Sequence, residues 1–203
     1  MLTDLHLVLC GAGAVGSLLA DALARQGARR LRVIDRDRVE PHNVATQLYG
    51  LDDVGGRKAE VLRHRLFRAA GVEIEATAKE LTDRTARPLL RAAGLVIDAF
   101  DNAAARRLVQ EHCRALGRPC LHVGLFADYA EVIWDEAYRV PADVGGDVCA
   151  APLARPLVLL AVAVAADAVG RFAATGERVS RTATLADFAV RELEAVIFGP
   201  ASP

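Results

Sequence analysis

A glycine-rich loop, Gly11-Ala12-Gly13-Ala14-Val15-Gly16, follows directly on the apolar run Leu5 to Cys10 and opens a stretch of helical periodicity. No other feature of the sequence constrains the fold as tightly. In a G-x-G-x-x-G loop between a strand and a helix, the first glycine permits the turn. The second lets a phosphate approach the backbone, and the third lets helix and strand pack closely. Free N–H groups at the helix start then hold an anion. Gly11, Ala12, Gly13 and Gly16 are the candidate phosphate-binding residues. Asp35 closes the next strand, Leu31 to Ile34, where a carboxylate accepts hydrogen bonds from ribose hydroxyls and disfavours a 2′-phosphate. A tight glycine turn can be purely structural, but the loop, strand and Asp35 together point to a nucleotide.

The chain continues to alternate strands and helices. Helical spacing predicts Ser17 to Gln26, Lys58 to Ala69, Thr85 to Ala93 (weakly) and Ala103 to Leu116. Strands are expected at Glu73 to Ala78, Leu95 to Ala99 and Cys120 to Val123. The pattern implies an α/β fold, a Rossmann-like doubly wound, mostly parallel sheet with helices on both faces. Beyond Gly124, a strand pair is expected from Tyr129 to Trp134 and Tyr138 to Val140, with Pro141 to Gly146 a loop. Pro156 to Ala174 reads as a long buried helix, and Thr182 to Val190 as a returning strand or irregular segment. These later residues form a small antiparallel C-terminal extension. The expected organisation is a single unit over 1–203, with a core at 1–125 and an extension at 126–203.

With 203 residues, 53% hydrophobic and 25% charged, the chain can bury a full core. A formal net charge of −1 offers no general attraction for nucleic acid or an acidic membrane. The most apolar stretch, Leu157 to Ala166, is followed by Asp167 and Arg171 and is too short to span a bilayer. Cys10, Cys113, Cys120 and Cys149 form no C-x-x-C pair, so no zinc is expected, and a chain this long needs no disulfide scaffold. The start lacks the layout of a signal peptide. A cytoplasmic protein is the expectation.

Three further motifs follow in order. Asp35, Asp37, Val39, Asn43 and Gln47 space out a D-x-D-x-V-x-x-x-N-x-x-x-Q pattern. Gly55-Gly56-Arg57-Lys58 leads into a helix, and Asp98-Ala99-Phe100-Asp101-Asn102 precedes another, with Arg106 beyond. This set resembles the ThiF/MoeB-type adenylyltransferases, bacterial relatives of ubiquitin-activating E1 enzymes, over roughly residues 5 to 125 and more loosely over 148 to 175. The resemblance implies ATP-dependent adenylation of the C-terminal carboxylate of a small ubiquitin-like sulfur-carrier protein or peptide. It implies that Asn43, Lys58 and Asp101 are catalytic, Asp101 holding Mg²⁺. It also implies that Asp37, Gln47 and Asn102 join the glycine loop, Asp35 and Lys58 in binding ATP. It further implies a homodimer, with the extension serving substrate and partner.

The residue types suit that chemistry. A carboxylate attacking the α-phosphate approaches another anion, and the leaving pyrophosphate gathers charge. Such a site needs a cation, Mg²⁺ and neutral donors. Plainer readings stand beside these: Lys58 on a solvated basic helix, Asn43 in a turn, and Asp101-Asn102 as a helix cap. The basic run Arg57 to Arg68 is expected beside the triphosphate.

The sequence departs from the family pattern in several places. Thr46 stands where the family has arginine, and a hydroxyl cannot compensate triphosphate charge; Arg36, Arg38 or Arg57 are candidate substitutes. No arginine precedes Arg25, whereas family homodimers commonly bring an amino-terminal arginine from the partner. Cys149 is a candidate nucleophile, set against a plain loop residue. Two alternatives remain: a non-catalytic E1-like binding subunit, and an NAD-dependent oxidoreductase supported by the glycine loop and Asp35 alone.

Overall fold

A computed structural model describes residues 1–141 and 155–193. Eight strands form one sheet in the order β3-β2-β1-β4-β5-β6-β7-β8. β1 (His6–Cys10), β2 (Arg30–Ile34), β3 (Glu75–Thr77), β4 (Leu95–Asp98) and the first half of β5 (Cys120–Phe126) run parallel. β6 (Tyr129–Trp134), β7 (Arg181–Thr184) and β8 (Val190–Glu192) complete the sheet antiparallel. The strands β1 and β4 are apolar because both of their faces are covered. Val8, Leu9, Val96 and Ile97 have no exposed surface.

Side-chain alternation divides the core between the two faces. Leu7 and Leu9 of β1 pack with α1 (Ala14–Arg25), α2 (Lys58–Ala70) and α5 (Arg155–Thr175). Val8 and Cys10 pack with α3 (Asp83–Leu90) and α4 (Ala103–Leu116) on the other face. The sheet order reverses direction between β1 and β4. In such folds that crevice, at the carboxyl ends of the strands, is where ligands bind.

The expected α/β architecture holds, with local corrections. Tyr138 to Val140 is not a strand. β6 instead pairs with β5, which runs on to Phe126, in the register Phe126↔Tyr129 to Leu121↔Trp134. Tyr138 is turned inward, and its ring stacks on that of His122 with centroids 3.8 Å apart. The apolar residue expected in a strand there is thus a buried aromatic anchor. Thr182 to Val190 divides into the end of β7, a turn and the start of β8. α1 begins at Ala14, inside the glycine motif, rather than at Ser17.

The helix α5 spans 21 residues and is, by length and composition, apolar enough to cross a membrane. It exceeds the ten-residue apolar stretch seen in the sequence because the helix runs on past Asp167, through Ala168 and Val169 to Ala173 and Ala174. Leu157, Val158, Ala161 and Ala165 are buried against the sheet and α1, the placement of a core helix.

Candidate functional site

The glycine loop leaves β1 and enters α1 at the crevice. Gly11 has φ +98°, a conformation L side chains rarely adopt, and a Cβ there would meet the Ala99 carbonyl oxygen at 2.8 Å. A Cβ on Gly16 would meet the Gly11 carbonyl oxygen at 2.0 Å. These two glycines are fixed by the fold itself. Gly13 differs, since a Cβ there meets no atom of the described residues within 4 Å. It caps α1 without a side-chain hydrogen bond, leaving the first-turn N–H groups to an incoming acceptor.

Asp35, at the end of β2, is 5% exposed. Its Oδ2 accepts from the Ala12 N–H and its Oδ1 from the Asp37 N–H, each at 2.7 Å. Burial pushes this carboxyl up, and the two N–H donors only partly offset it. The carboxylate therefore ties the glycine loop to the end of β2 and keeps lone pairs with which to accept further hydrogen bonds.

Asp37 holds the start of α2. Its carbonyl accepts from the Lys58 N–H at 2.9 Å, and Lys58 Nζ lies 3.6 Å from Asp37 Oδ2. Lys58 is buried apart from its tip, so the plain reading of a solvated lysine does not describe it. Asn43 is buried in a 3₁₀ turn, Pro41–Ala45. Its Oδ1 accepts from the Glu40 N–H at 2.9 Å, so the turn reading is correct. Its amide NH₂ remains a donor. Gln47 keeps a buried Oε1 with no hydrogen-bond partner among the described residues.

Asp98 ends β4, and Asp101-Asn102 lead into α4. Asn102 Oδ1 accepts from the Ala105 N–H at 2.9 Å, so this residue caps the helix as the plainer reading had it. Asp101 is exposed beside it. Mg²⁺ is ordinarily held through one or two carboxylates together with substrate phosphates, not in a protein cage. Asp101 fits such a role. Among the described residues no group of three acidic, histidine or cysteine side chains gathers around one point.

Two functional candidates escaped the sequence reading. Tyr49 donates its hydroxyl to the Ala12 carbonyl at 2.8 Å, bracing the glycine loop from below. His122 on β5 has no exposed surface and sits between Asp98 and Asp135, with Nδ1 2.8 Å from Asp98 Oδ2 and Nε2 3.3 Å from Asp135 Oδ1. An aromatic in a loop carries no periodic signal, and a lone histidine in an apolar strand is an everyday core residue.

The basic run does not gather at the crevice. Arg65 pairs with Asp53, and Arg65 and Arg68 line a shallow hollow with Asp21 and Arg25, at the far end of α1. Helical rotation and the 1.5 Å rise per residue carry them away from Lys58. The three proposed substitutes for an arginine at position 46 are engaged elsewhere. Arg38 donates to the Gly55 carbonyl, Arg57 to the Arg36 carbonyl, and Arg36 lies 2.6 Å from Glu80. Arg155, the first residue of α5, instead reaches the loop, its Nη1 3.4 Å from the Ala45 carbonyl. Cys149 lies outside the described residues. Cys10, Cys113 and Cys120 are free and buried, and burial raises the Cys10 and Cys120 thiols well above their ordinary range.

Comparison with known proteins agrees with this geometry. The profile of the ThiF family matches residues 1–135. A sulfur carrier protein adenylyltransferase from Thermus thermophilus is 37% identical over 122 residues, 59% of this chain and 45% of the relative. A sulfur carrier protein ThiS adenylyltransferase from Bacillus subtilis is 32% identical over 132 residues, 63% of this chain and 39% of the relative. The chain thus spans less than half the length of these relatives. Among solved structures, Escherichia coli MccB superposes with a TM-score of 0.81 in its complex with MccA-N7isoASN, at 19% identity, over 95% of this chain and 65% of MccB. An ATP complex of MccB gives a TM-score of 0.76 at 20% identity, over 95% and 64%. At such identity the likeness shows the fold.

Proposed function

Since the chain belongs to the ThiF family, we propose that it activates a carboxylate by ATP-dependent adenylation. The substrate is the C-terminus of a small ubiquitin-like carrier protein or a peptide, both substrate types being in keeping with the relatives' names. The observation that carries the reading is Lys58. Its ammonium is held, nearly buried, at the crevice by Asp37, opposite a glycine loop whose helix N–H groups await an anion.

In this reading the substrate carboxylate attacks the α-phosphorus of ATP. A carboxyl oxygen–phosphorus bond forms, the bond to the bridging oxygen breaks, and pyrophosphate leaves with its electron pair. Lys58 offsets charge on the phosphates, and the Asn43 amide donates to the transferring group. Asp35 receives the ribose, with Asp37, Gln47 and Asn102 around the nucleotide. Mg²⁺, held through Asp101, would neutralise the leaving pyrophosphate. A buried orphan acceptor at Gln47 and the open space above Gly13 both suit a bound nucleotide. Arg155 supplies from α5 the guanidinium that the family carries at position 46. We take the active form to be a homodimer in the cytoplasm, where the free cysteines stay reduced.

The test is ATP–pyrophosphate exchange by the purified chain across a panel of ubiquitin-like carriers and short peptides. Exchange with one of them is expected. ATP binding without exchange on any candidate points instead to a non-catalytic subunit, the reading that Thr46 favours.

A further inference from the structure

Both ring nitrogens of His122 face carboxylates, Asp98 at 2.8 Å and Asp135 at 3.3 Å. A carboxylate only accepts, and an imidazolium, which donates from both nitrogens, meets both partners where a neutral ring meets one. Three charges therefore meet in a place where His122 and Asp98 have no exposed surface. Burying them costs several kcal/mol per ion, and apolar side chains of similar volume often hold a fold equally well or better. Stability alone does not account for the arrangement; its position does. Asp98 ends β4, and its other oxygen, Oδ1, accepts from the Phe100 N–H at 3.1 Å. The Ala99–Phe100 peptide so fixed lies against Gly11 on one side and leads to Asp101 on the other.

We propose that His122 is a positioning residue for the nucleotide site. It holds the Asp98 carboxylate in the orientation that sets the turn between the glycine loop and Asp101. Several groups surround this pair. Gln110 and Arg114 of α4 donate to Asp135 at 2.8 and 2.7 Å, and Arg106 of α4 donates to the Tyr138 hydroxyl. Tyr138 stacks on the imidazole, Glu131 faces it from β6, and Cys10 lies near Asp98 on β1. Arg106 and Arg114 balance the carboxylates, so the cluster keeps His122 charged without drawing in a counter-ion.

The inference rests on the site binding ATP, and its test reads binding and protonation, not turnover. Imidazole ¹⁵N NMR of the native chain at pH 6.5, the ordinary imidazole value, should show His122 mostly protonated on both nitrogens. Calorimetric titration should find H122Q binding ATP–Mg²⁺ about tenfold more weakly than native, the usual size for loss of a residue that orients a metal ligand. Metal-free ATP should change less than about twofold, because the glycine loop's own donors remain. D135N, which takes the charge from the outer carboxylate that Gln110 and Arg114 also bind, should show the same selectivity to a smaller degree and serves if H122Q folds poorly. A mostly neutral His122 at pH 6.5, native-like ATP–Mg²⁺ binding by both variants, or equal loss with and without Mg²⁺ overturns the proposal. Adenylation fails separately, if the native chain binds ATP but exchanges no pyrophosphate. A native chain that binds no ATP overturns both.

Discussion

Tyr49 donates its hydroxyl to the carbonyl of Ala12, 2.8 Å away, beneath the loop whose N–H group at the same residue is taken by Asp35. One residue of the glycine loop is thus pinned at both its backbone groups, by side chains from two different segments. The loop is held in shape before any phosphate arrives, which spares the ordering cost on binding. Removing the hydroxyl with Y49F should cost about 1 kcal/mol of stability, since a buried carbonyl loses its donor. ATP affinity should fall about threefold as the loop loosens, on the scale of a fraction of that energy. Denaturant unfolding and calorimetric titration of the one variant check both. Unchanged affinity would mean that the loop keeps its shape without Tyr49.

Gly16 and Gly13 of the loop should separate cleanly. G16A drives a methyl group to within 2.0 Å of a backbone oxygen, so helix and strand must move apart. A loss of about 2 kcal/mol or more is expected, of the size seen for overpacking. A methyl in G13A meets no atom of the described residues within 4 Å, and the position lies outside the left-handed region at φ −77°. The melting temperature of G13A should fall by only a few degrees, because alanine is a poorer helix cap than glycine by about 1 kcal/mol or less. Its nucleotide affinity should nonetheless drop, because the methyl occupies space a phosphate needs. Thermal melts with and without ATP distinguish the two.

The parts of this molecule that were readable in the sequence are those whose cause is local. Leu7 to Cys10 and Leu95 to Ile97 are apolar throughout because parallel strands are covered on both faces, and they read directly as strands. The glycine loop and Asp35 were readable because tight turns and strand-end carboxylates depend on few neighbours. What was hidden depends on tertiary contacts. Tyr138 alternates like a strand residue yet is placed by the ring of His122. Arg65 and Arg68 are close to Lys58 in sequence but face another way along α2. Arg155 reaches position 45 across more than a hundred residues, and no spacing rule links them.

Stability should depend on pH in a direction set by the buried cluster. Burial pulls the His122 imidazole down, but hydrogen bonds to Asp135 and Asp98 outweigh it and raise its pKa. Its contribution is fully present below the unfolded value, about 6.5, and is lost as pH rises through the higher folded value. Asp135 is the reverse case. Burial raises it, yet donors from His122, Arg114 and Gln110 lower it to about 2. That contribution is present above an ordinary carboxylate value of about 3.9 and is lost as pH falls through the folded value. The melting temperature should therefore be highest between about pH 4 and 6.5 and decline on both sides. H122Q should melt lower and lose much of the alkaline decline. An alkaline slope identical to that of the native chain would show that other groups set it.

Arg155 bears on the feature that most separates this chain from its family pattern, the threonine at position 46. Its Nη1 lies 3.4 Å from the Ala45 carbonyl, at the long end for a hydrogen bond, and the residue is exposed. A neutral carbonyl at that distance holds a guanidinium loosely, so little stability depends on the contact. A triphosphate in the crevice offers a charged, bidentate acceptor in exchange. If that is the function of Arg155, R155A should melt close to the native chain while ATP binds about tenfold more weakly, one charge-assisted contact being worth about 1.5–3 kcal/mol. AMP, which lacks the β- and γ-phosphates, should bind equally well to both. T46R in the R155A background should recover most of the loss, because it returns a guanidinium to the same loop from the other side. Equal ATP affinity for R155A and the native chain would leave the triphosphate to Lys58 alone. A matching loss for AMP would place Arg155 at the nucleoside or the α-phosphate and not at the β- and γ-phosphates.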